Sequence, residues 1–184
     1  MRPKNMVINP PETVSLERLR LRRPKLSDAA AIFEYASDSE VTRYMDWPRC
    51  QTLKSIVEAL SHRAKEWESG YAFNWVITLP PDDVAIGSVS CTFQGHSVEY
   101  GYLLNRKFWG RGFATEVSKA IVEWTFSEPS IWRVWATCDM DNSASTRVLE
   151  KSGLSREGIL RRSIVRPNIS GEPRDAYIYS KVRV

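Results

Sequence analysis

Apolar positions recur along this chain in two periods, and their order sets out the elements. Glu17 to Arg22 alternates polar and apolar residues, which fits an edge-type strand ended by Pro24. Before it, the stretch to about Ser15 contains Pro3, Pro10 and Pro11 and is expected to be a loose lead-in. Ser27 or Asp28 stands where a helix N-cap belongs, ahead of Ala31, Ile32 and Tyr35. Ser39 to Thr52 is irregular and holds Tyr44, Met45, Trp47 and Pro48. That aromatic loop is either the lip of a substrate site or a satellite cluster beneath a loop. Thr52 to Glu68 then takes up helical spacing, with Leu53, Ile56, Val57, Leu60, Ala64 and Trp67 on one broad face and Gly70 as the stop.

Period two returns in Tyr71–Leu79, Val84–Phe93 and Val98–Asn105, separated by Pro80-Pro81-Asp82-Asp83 and Gly95-His96. Three strands with short turns predict an antiparallel meander, and Gly87 marks a bulge or a close approach. Trp109-Gly110-Arg111-Gly112-Phe113-Ala114-Thr115 follows, then a helix with Val117, Ala120, Ile121 and Trp124 inward, ending near Ser127. Glycines two apart let a backbone approach a ligand closely. A helix that starts there directs free N–H groups and its positive end toward an anion, and a pyrophosphate fits. Ile131–Cys138 is β-rich, so strand, helix and strand form a crossover between parallel neighbours. Asp141, Asn142 or Ser143 caps a further helix that stops at Gly153. The tail from Arg156 holds a loop around Pro167–Pro173 and a last strand, Ala176–Val184. No repeat or linker divides the chain, so residues 1–184 are expected to form a single domain.

Composition narrows the ligand more than the fold. A length of 184 residues suits one domain with a full core. A hydrophobic fraction of 42% and a charged fraction of 26% are those of a soluble globular protein. The net charge of +4 favours an anionic ligand or an acidic partner. The basic residues are scattered, apart from Arg20/Arg22/Arg23 and Arg161/Arg162, so direct nucleic-acid binding is not signalled. Cys50, Cys91 and Cys138 lack the spacing of a metal or disulfide framework, and His62 and His96 stand apart, so no metal is expected. Met1–Pro11 lacks the apolar core of a signal peptide, and no apolar run is long enough to span a membrane. The expectation is a reduced, cytoplasmic enzyme or binding protein, monomer or homodimer, without a membrane partner.

With these elements in order, the chain resembles the GCN5-related N-acetyltransferases (GNAT), in particular the branch of the RimJ/RimL-type ribosomal-protein N-terminal acetyltransferases. The resemblance rests on Gly101-Tyr102, on Trp109 through Glu116, on Asp141-Asn142-Ser143-Ala144-Ser145, on Arg147 through Leu154 and on Glu157-Gly158. It implies a mixed, mostly antiparallel twisted sheet flanked by helices, with two central parallel strands splayed to hold acetyl-CoA. It implies that Leu103, Leu104, Lys107, Trp109, Gly110, Arg111, Gly112, Phe113, Ala114 and Thr115 contact acetyl-CoA, the amides of Gly110 to Ala114 taking the pyrophosphate. It further implies that Asn142 contacts the pantetheine arm and that Ser145 lies near the thioester sulfur. Two positions depart from the family pattern. Lys107 stands where Gln or Arg is usual, and Leu149 where many relatives carry a Tyr that protonates the departing thiolate.

Acetyl transfer to an amine needs a base for the ammonium proton and a donor for the developing oxyanion. Glu99, on the strand expected to line the cleft, is the candidate base; the alternative is a solvated or Arg-paired carboxylate. Ser145 is the candidate thiol-side donor; the alternative is a helix-start residue bonding the backbone. Asn142 contacts acetyl-CoA, caps its helix, or does both. Glu116, in a first helical turn, fits a structural carboxylate favoured by the dipole. Cys91 and Cys138 fit small buried apolar residues. A dinucleotide site is disfavoured because Thr115 replaces the third glycine, and a P-loop because Gly-Lys-Ser/Thr is absent. The acceptor is expected to be a primary amine, foremost a protein or peptide N-terminal α-amino group. The alternatives are a polyamine or aminoglycoside, or a relative that binds acetyl-CoA without catalysis.

Overall fold

The structure is a computed structural model that describes residues 9–184. Its middle layer is an eight-stranded sheet in the order β1-β2-β3-β4-β5-β6-β8-β7. The strands are β1 (Thr13–Ser15), β2 (Arg20–Arg22), β3 (Ala72–Leu79), β4 (Val84–Gln94), β5 (Ser97–Leu104), β6 (Arg133–Asp139), β7 (Ser155–Arg166) and β8 (Ser170–Val182). Among the described residues only β5 and β6 pair in parallel; every other neighbouring pair is antiparallel. The helices are α1 (Ala29–Ala36), α2 (Ser39–Thr42), α3 (Leu53–Ser69), α4 (Phe113–Ser127) and α5 (Ser143–Lys151). This is the mixed, mostly antiparallel α/β sheet that the sequence predicts.

Strand alternation assigns each face its helices. Phe73, Trp75 and Ile77 of β3, Val89 and Cys91 of β4, and Val98, Tyr100 and Leu104 of β5 point to one side. There they meet Phe113, Val117, Ile121 and Val122 of α4 and Leu149 of α5. Val76, Ala85 and Leu103 point to the other side and meet Ile32 and Tyr35 of α1 with Ile56 and Leu60 of α3. The register slips by one residue where β3 passes from Ile77 to Thr78, opposite Gly87 and Ala85. Gly87 also has no room for a side chain, because a Cβ there would lie 2.4 Å from the Leu103 carbonyl oxygen. It is therefore both the bulge and the close approach, and it holds β4 tight against the outer end of β5.

Several boundaries differ from the sequence expectation. Of the lead-in, residues 1–8 lie outside the described residues; in the rest, Thr13–Ser15 forms β1, and the Trp75 indole N–H donates to the Pro11 carbonyl at 2.9 Å. β2 is shorter than the alternating run and lies inside the sheet, between β1 and β3, so it is not an edge. Asp28 precedes α1 without capping it; its carboxylate accepts from the Lys25 amide at 2.7 Å, boxing the 3-10 turn Leu26–Asp28, and receives both Arg22 Nη groups at 2.8 Å. On α3 the buried face is narrower than predicted. Ile56, Leu60 and Trp67 are buried, whereas Leu53 and Val57 are exposed. Two contacts support the predicted ends of that helix: Thr52 accepts from the Ser55 amide, and Gly70 closes the helix in the left-handed region. The largest difference is the tail, where Ser155–Arg166 is strand β7 and β8 already begins at Ser170. Among the described residues no helix is long and apolar enough to cross a membrane, and no metal-binding group is found.

Candidate active site

The glycine turn follows from β5. After Leu104, the Asn105 side chain accepts from the Lys107 amide at 3.0 Å and shapes a single 3-10 turn, Arg106–Phe108. The Trp109 indole N–H then donates back to the Leu104 carbonyl at 2.7 Å, folding the turn onto the end of β5. Gly110 and Gly112 take φ values of 75° and 77°, a region costly for residues with a Cβ. Gly112 is the N-cap of α4 and no side chain caps that helix. The first-turn amides of α4 therefore keep their donor capacity for an anion. Arg18 fixes the turn from outside. Its backbone N–H and Nε donate to Glu116 at 2.9 and 2.8 Å, and its Nη1 donates to the Arg111 carbonyl at 2.9 Å. This cradle pairs left-handed glycines with an uncapped helix start, an arrangement that can hold an anion. Lys107 is exposed beside it and pairs with Glu34 at 2.7 Å.

β5 and β6 pair only from Ser97 to Glu99 against Arg133 to Trp135, and then part. Glu99 is thus the last residue of β5 paired with β6, at the apex of the opening, and the glycine turn lies at its wide end. The gap joins the two faces of the sheet into one cavity of about 560 Å³. On the α4/α5 side it is lined by Tyr102, Cys138, Asn142, Ser145 and Leu149. On the α1/α3 side it is lined by Glu99, Leu103, Asp139 and Arg166, with Tyr44 to Pro48 as a roof.

On the first side, the Asn142 side-chain carbonyl accepts from the Ser145 amide at 3.1 Å, which caps α5 and fixes Ser145 in its first turn. The Ser145 and Tyr102 hydroxyls share a hydrogen bond of 3.1 Å. Burial pushes the Tyr102 phenol up to about 12, against the help of the Ser145 bond. Burial likewise raises the Cys138 thiol to about 11, and that thiol donates to the Asn142 carbonyl. Both groups are therefore neutral at ordinary pH. On the second side, burial first and the nearby Asp46 carboxylate next raise Glu99 above the usual glutamate value. Arg166 is 6% exposed, and burial lowers its pKa against the pull of Asp46 and Asp139.

Of the residues predicted from sequence, Glu99, Leu103, Asn142 and Ser145 converge on the cavity. Gly110 to Thr115 lie outside its wall, at the start of α4, and Leu104 is buried in the core beneath the turn. Glu116 is the structural carboxylate expected of it, held by Arg18. Cys91 is the expected buried apolar residue, whereas Cys138 is buried and also lines the cavity. The Tyr44–Pro48 loop serves both readings given above: Met45 and Trp47 pack on the α1/α3 core cluster and also line the cavity. The sequence reading missed Arg18, Asp46, Tyr102 as the partner of Ser145, and Arg166. Two of them had a signal: Tyr102 by its place beside Gly101, and Asp46 by its place inside the Tyr44–Pro48 loop.

Comparison with known proteins agrees with this geometry. The profile of the acetyltransferase (GNAT) domain matches residues 18–155. The chain is 31% identical over 169 residues to an uncharacterized N-acetyltransferase, YnaD of Bacillus subtilis (strain 168), covering 91% of this chain and 95% of that protein. A crystal structure of a GNAT-family acetyltransferase from Bacillus anthracis superposes with a TM-score of 0.80 at 28% identity, covering 92% of this chain and 98% of the other. The fold is also that of RimL, a ribosomal L7/L12 α-N-protein acetyltransferase solved with coenzyme A, with a TM-score of 0.83 at 20% identity over 93% and 98% of the two chains. Glycine turn, splayed parallel pair, domain match and full-length relatives coincide: the chain belongs to the GCN5-related N-acetyltransferase (GNAT) family.

Proposed function

We propose that this protein transfers an acetyl group from acetyl-CoA directly to a primary α-amino group, without a metal. The observation that carries the reading is the gap between β5 and β6. It places a candidate base, Glu99, on one side of the sheet and a hydroxyl pair, Tyr102–Ser145, on the other. The reacting carbonyl belongs between them. Acetyl-CoA supplies the acetyl thioester when bound. The amides of Gly110 to Ala114 hold its pyrophosphate, and Asn142 lies along the pantetheine arm.

Glu99 takes the proton from the acceptor ammonium, directly or through one water. Its raised pKa brings it nearer to working pH, which strengthens it as a base. Backbone N–H groups of β5 beyond Glu99, on the side where β6 has parted, supply donors for the oxyanion. Ser145, backed by the neutral Tyr102 phenol, donates toward the departing sulfur and takes the role left open by Leu149. RimL, whose fold is shared, acts on a protein N terminus, which supports a protein or peptide terminus as the acceptor. A second reading, a small amine, is favoured by the roof over the cavity. Asn168 donates to the carbonyls of Thr42 and Trp47 and accepts from the Arg49 amide, pinning that loop down.

The test is CoA release from acetyl-CoA, followed by thiol detection, across N-terminal peptides, amino acids, polyamines and aminoglycosides. Turnover with α-amines is expected. Binding without turnover on the whole panel would favour a non-catalytic relative. In Gly112→Glu the acetyl-CoA affinity is expected to fall at least tenfold, and an unchanged affinity would sink the pyrophosphate assignment.

A further inference from the structure

The acceptor side of the cavity contains a cation that the acetyl-transfer chemistry does not use. Arg166 ends β7 with its side chain buried against the cavity, and its Nε has no hydrogen-bond partner. The nearest carboxylate oxygen, Asp139 Oδ2, stands 4.0 Å from that Nε. Asp139 is already engaged: it receives Arg174 Nε at 2.8 Å, Arg174 Nη2 at 3.1 Å and the Asp141 amide at 3.0 Å. Arg174 also reaches Asp141 at 2.6 Å. Asp139 therefore orients Arg166 without satisfying it. A guanidinium offers a planar fork of donors that matches a carboxylate two bonds at a time. An N-terminal peptide carbonyl, being neutral, answers that charge less well.

The other charged groups facing this side are Glu99, Asp46 at the roof and Arg63 of α3. An ammonium thus meets Glu99, an anion meets Arg166 and Arg63, and Asp46 acts on both Glu99 and Arg166. Between them, Ile32, Met45 and Trp47 offer an apolar wall. The turn that follows Arg166 carries Asn168, whose bonds pin the roof, so the same stretch of chain supplies the cation and limits the length of the guest.

We propose that Arg166 binds the acceptor's carboxylate and that the acceptor is a small apolar α-amino acid, with its ammonium toward Glu99. This rests on the acetyl-transfer reading and names its substrate class. No covalent step beyond that reading is involved.

The experiment is calorimetry on the CoA-loaded protein with the standard L-amino acids, the carboxamides of those that bind, and a tripeptide with the same first residue. At least one apolar amino acid is expected to bind tenfold or more tightly than its carboxamide and the tripeptide. Arg166→Gln should bring amino acid and carboxamide within twofold of each other while leaving the CoA dissociation constant unchanged, and Arg166→Lys should keep part of the preference. The wild-type contrast needs no variant, so it holds even where Arg166→Gln fails to fold. Equal binding of acid and amide, tighter binding of the tripeptide, or no amino acid bound would overturn the proposal. So would a preference that survives Arg166→Gln. Failure of CoA itself to bind would instead overturn the acetyl-transfer reading, and that titration is run first.

Discussion

Removing the hydroxyls of Tyr102 and Ser145 separately and together tests the chemistry on the thiol side of the gap. The two oxygens lie 3.1 Å apart, and the Tyr102 phenol titrates near 12. Burial keeps the phenol neutral at pH 8, so Tyr102 can donate to Ser145 and leave the Ser145 hydrogen free to point at sulfur. General-acid help spans about 10²–10⁴-fold in rate. A thiol leaving group with a pKa near 8.5 needs little of it, so Ser145→Ala is expected to lower kcat by about 10–100-fold, or about 1.4–2.7 kcal/mol of barrier. Tyr102→Phe leaves the serine in place but lets it turn, and is expected to cost about 3–10-fold. If the two act as a chain, the double variant should resemble Ser145→Ala alone, with a coupling of about 1 kcal/mol. The assay is steady-state CoA release, with CoA affinity measured by calorimetry and expected to stay within about twofold, since neither change touches the glycine cradle. Losses that simply multiply in the double variant would refute the chain. A Ser145→Ala enzyme with full kcat would refute Ser145 as the donor.

Three further outcomes follow from the geometry. Glu99 must be ionised to act as a base, so kcat/KM should rise with pH through a value above the usual glutamate pKa of about 4.3. Asp46→Asn removes a negative neighbour and should move that limb to lower pH, while Glu99→Gln should abolish the limb and cost about 10²–10⁴-fold. Asp28→Asn leaves the buried Arg22 with only Asp83 and should destabilise the fold by about 3 kcal/mol, read by urea titration. Burial alone would raise the Asp28 carboxyl, but the Arg22 bonds and the Lys25 amide outweigh it and hold it below the ordinary value. The ion pair's contribution is therefore present above about pH 4 and lost as pH falls through the depressed value, so the gap between wild type and Asp28→Asn should close in acid. Gly87→Ala drives a methyl into the Leu103 carbonyl, which cannot yield without moving β5. A loss of about 3 kcal/mol, or roughly 6–12 °C in Tm, is expected by calorimetry, and an unchanged Tm would show that the strand can slide.

Most of the sheet was legible because its central strands obey a strict period. β3, β4 and β5 bury alternate residues on two helix-covered faces, and short turns separate them, so the meander and its boundaries came within a residue or two. The α4 and α5 starts were legible for a different reason, since left-handed glycines and an Asn cap are local devices with few other uses. β7 was not legible because most of its residues are exposed, so no alternation is enforced and the hairpin with β8 is held by backbone pairing. The exposed Leu53 and Val57 of α3 misled for the converse reason: apolar spacing shows which residues can share a face, not how wide a face the neighbours cover.

The same division runs through the candidate site. Gly110 and Gly112 belong to a local backbone device that their spacing announces, and Asn142 and Ser145 are singled out by the family resemblance. Arg18, Asp46 and Arg166 arrive from distant parts of the chain; Asp46 lies within the aromatic loop that the sequence singles out, whereas nothing near Arg18 in sequence points to the glycine turn and nothing near Arg166 to the cavity. Tyr102 lies between the two cases, with its place visible and its partner 43 positions away. Arg166 argues most strongly, because burial of a guanidinium whose Nε is unsatisfied is unfavourable in the free protein. Asp139 does not satisfy it, being engaged by Arg174, which also pairs with Asp141, and Asn168 pins the roof through its own bonds. What a ligand carboxylate would return to Arg166 is the hydrogen bonding it lacks in the free protein. Binding and specificity would then draw on one local cost, which a neutral acceptor could not offset.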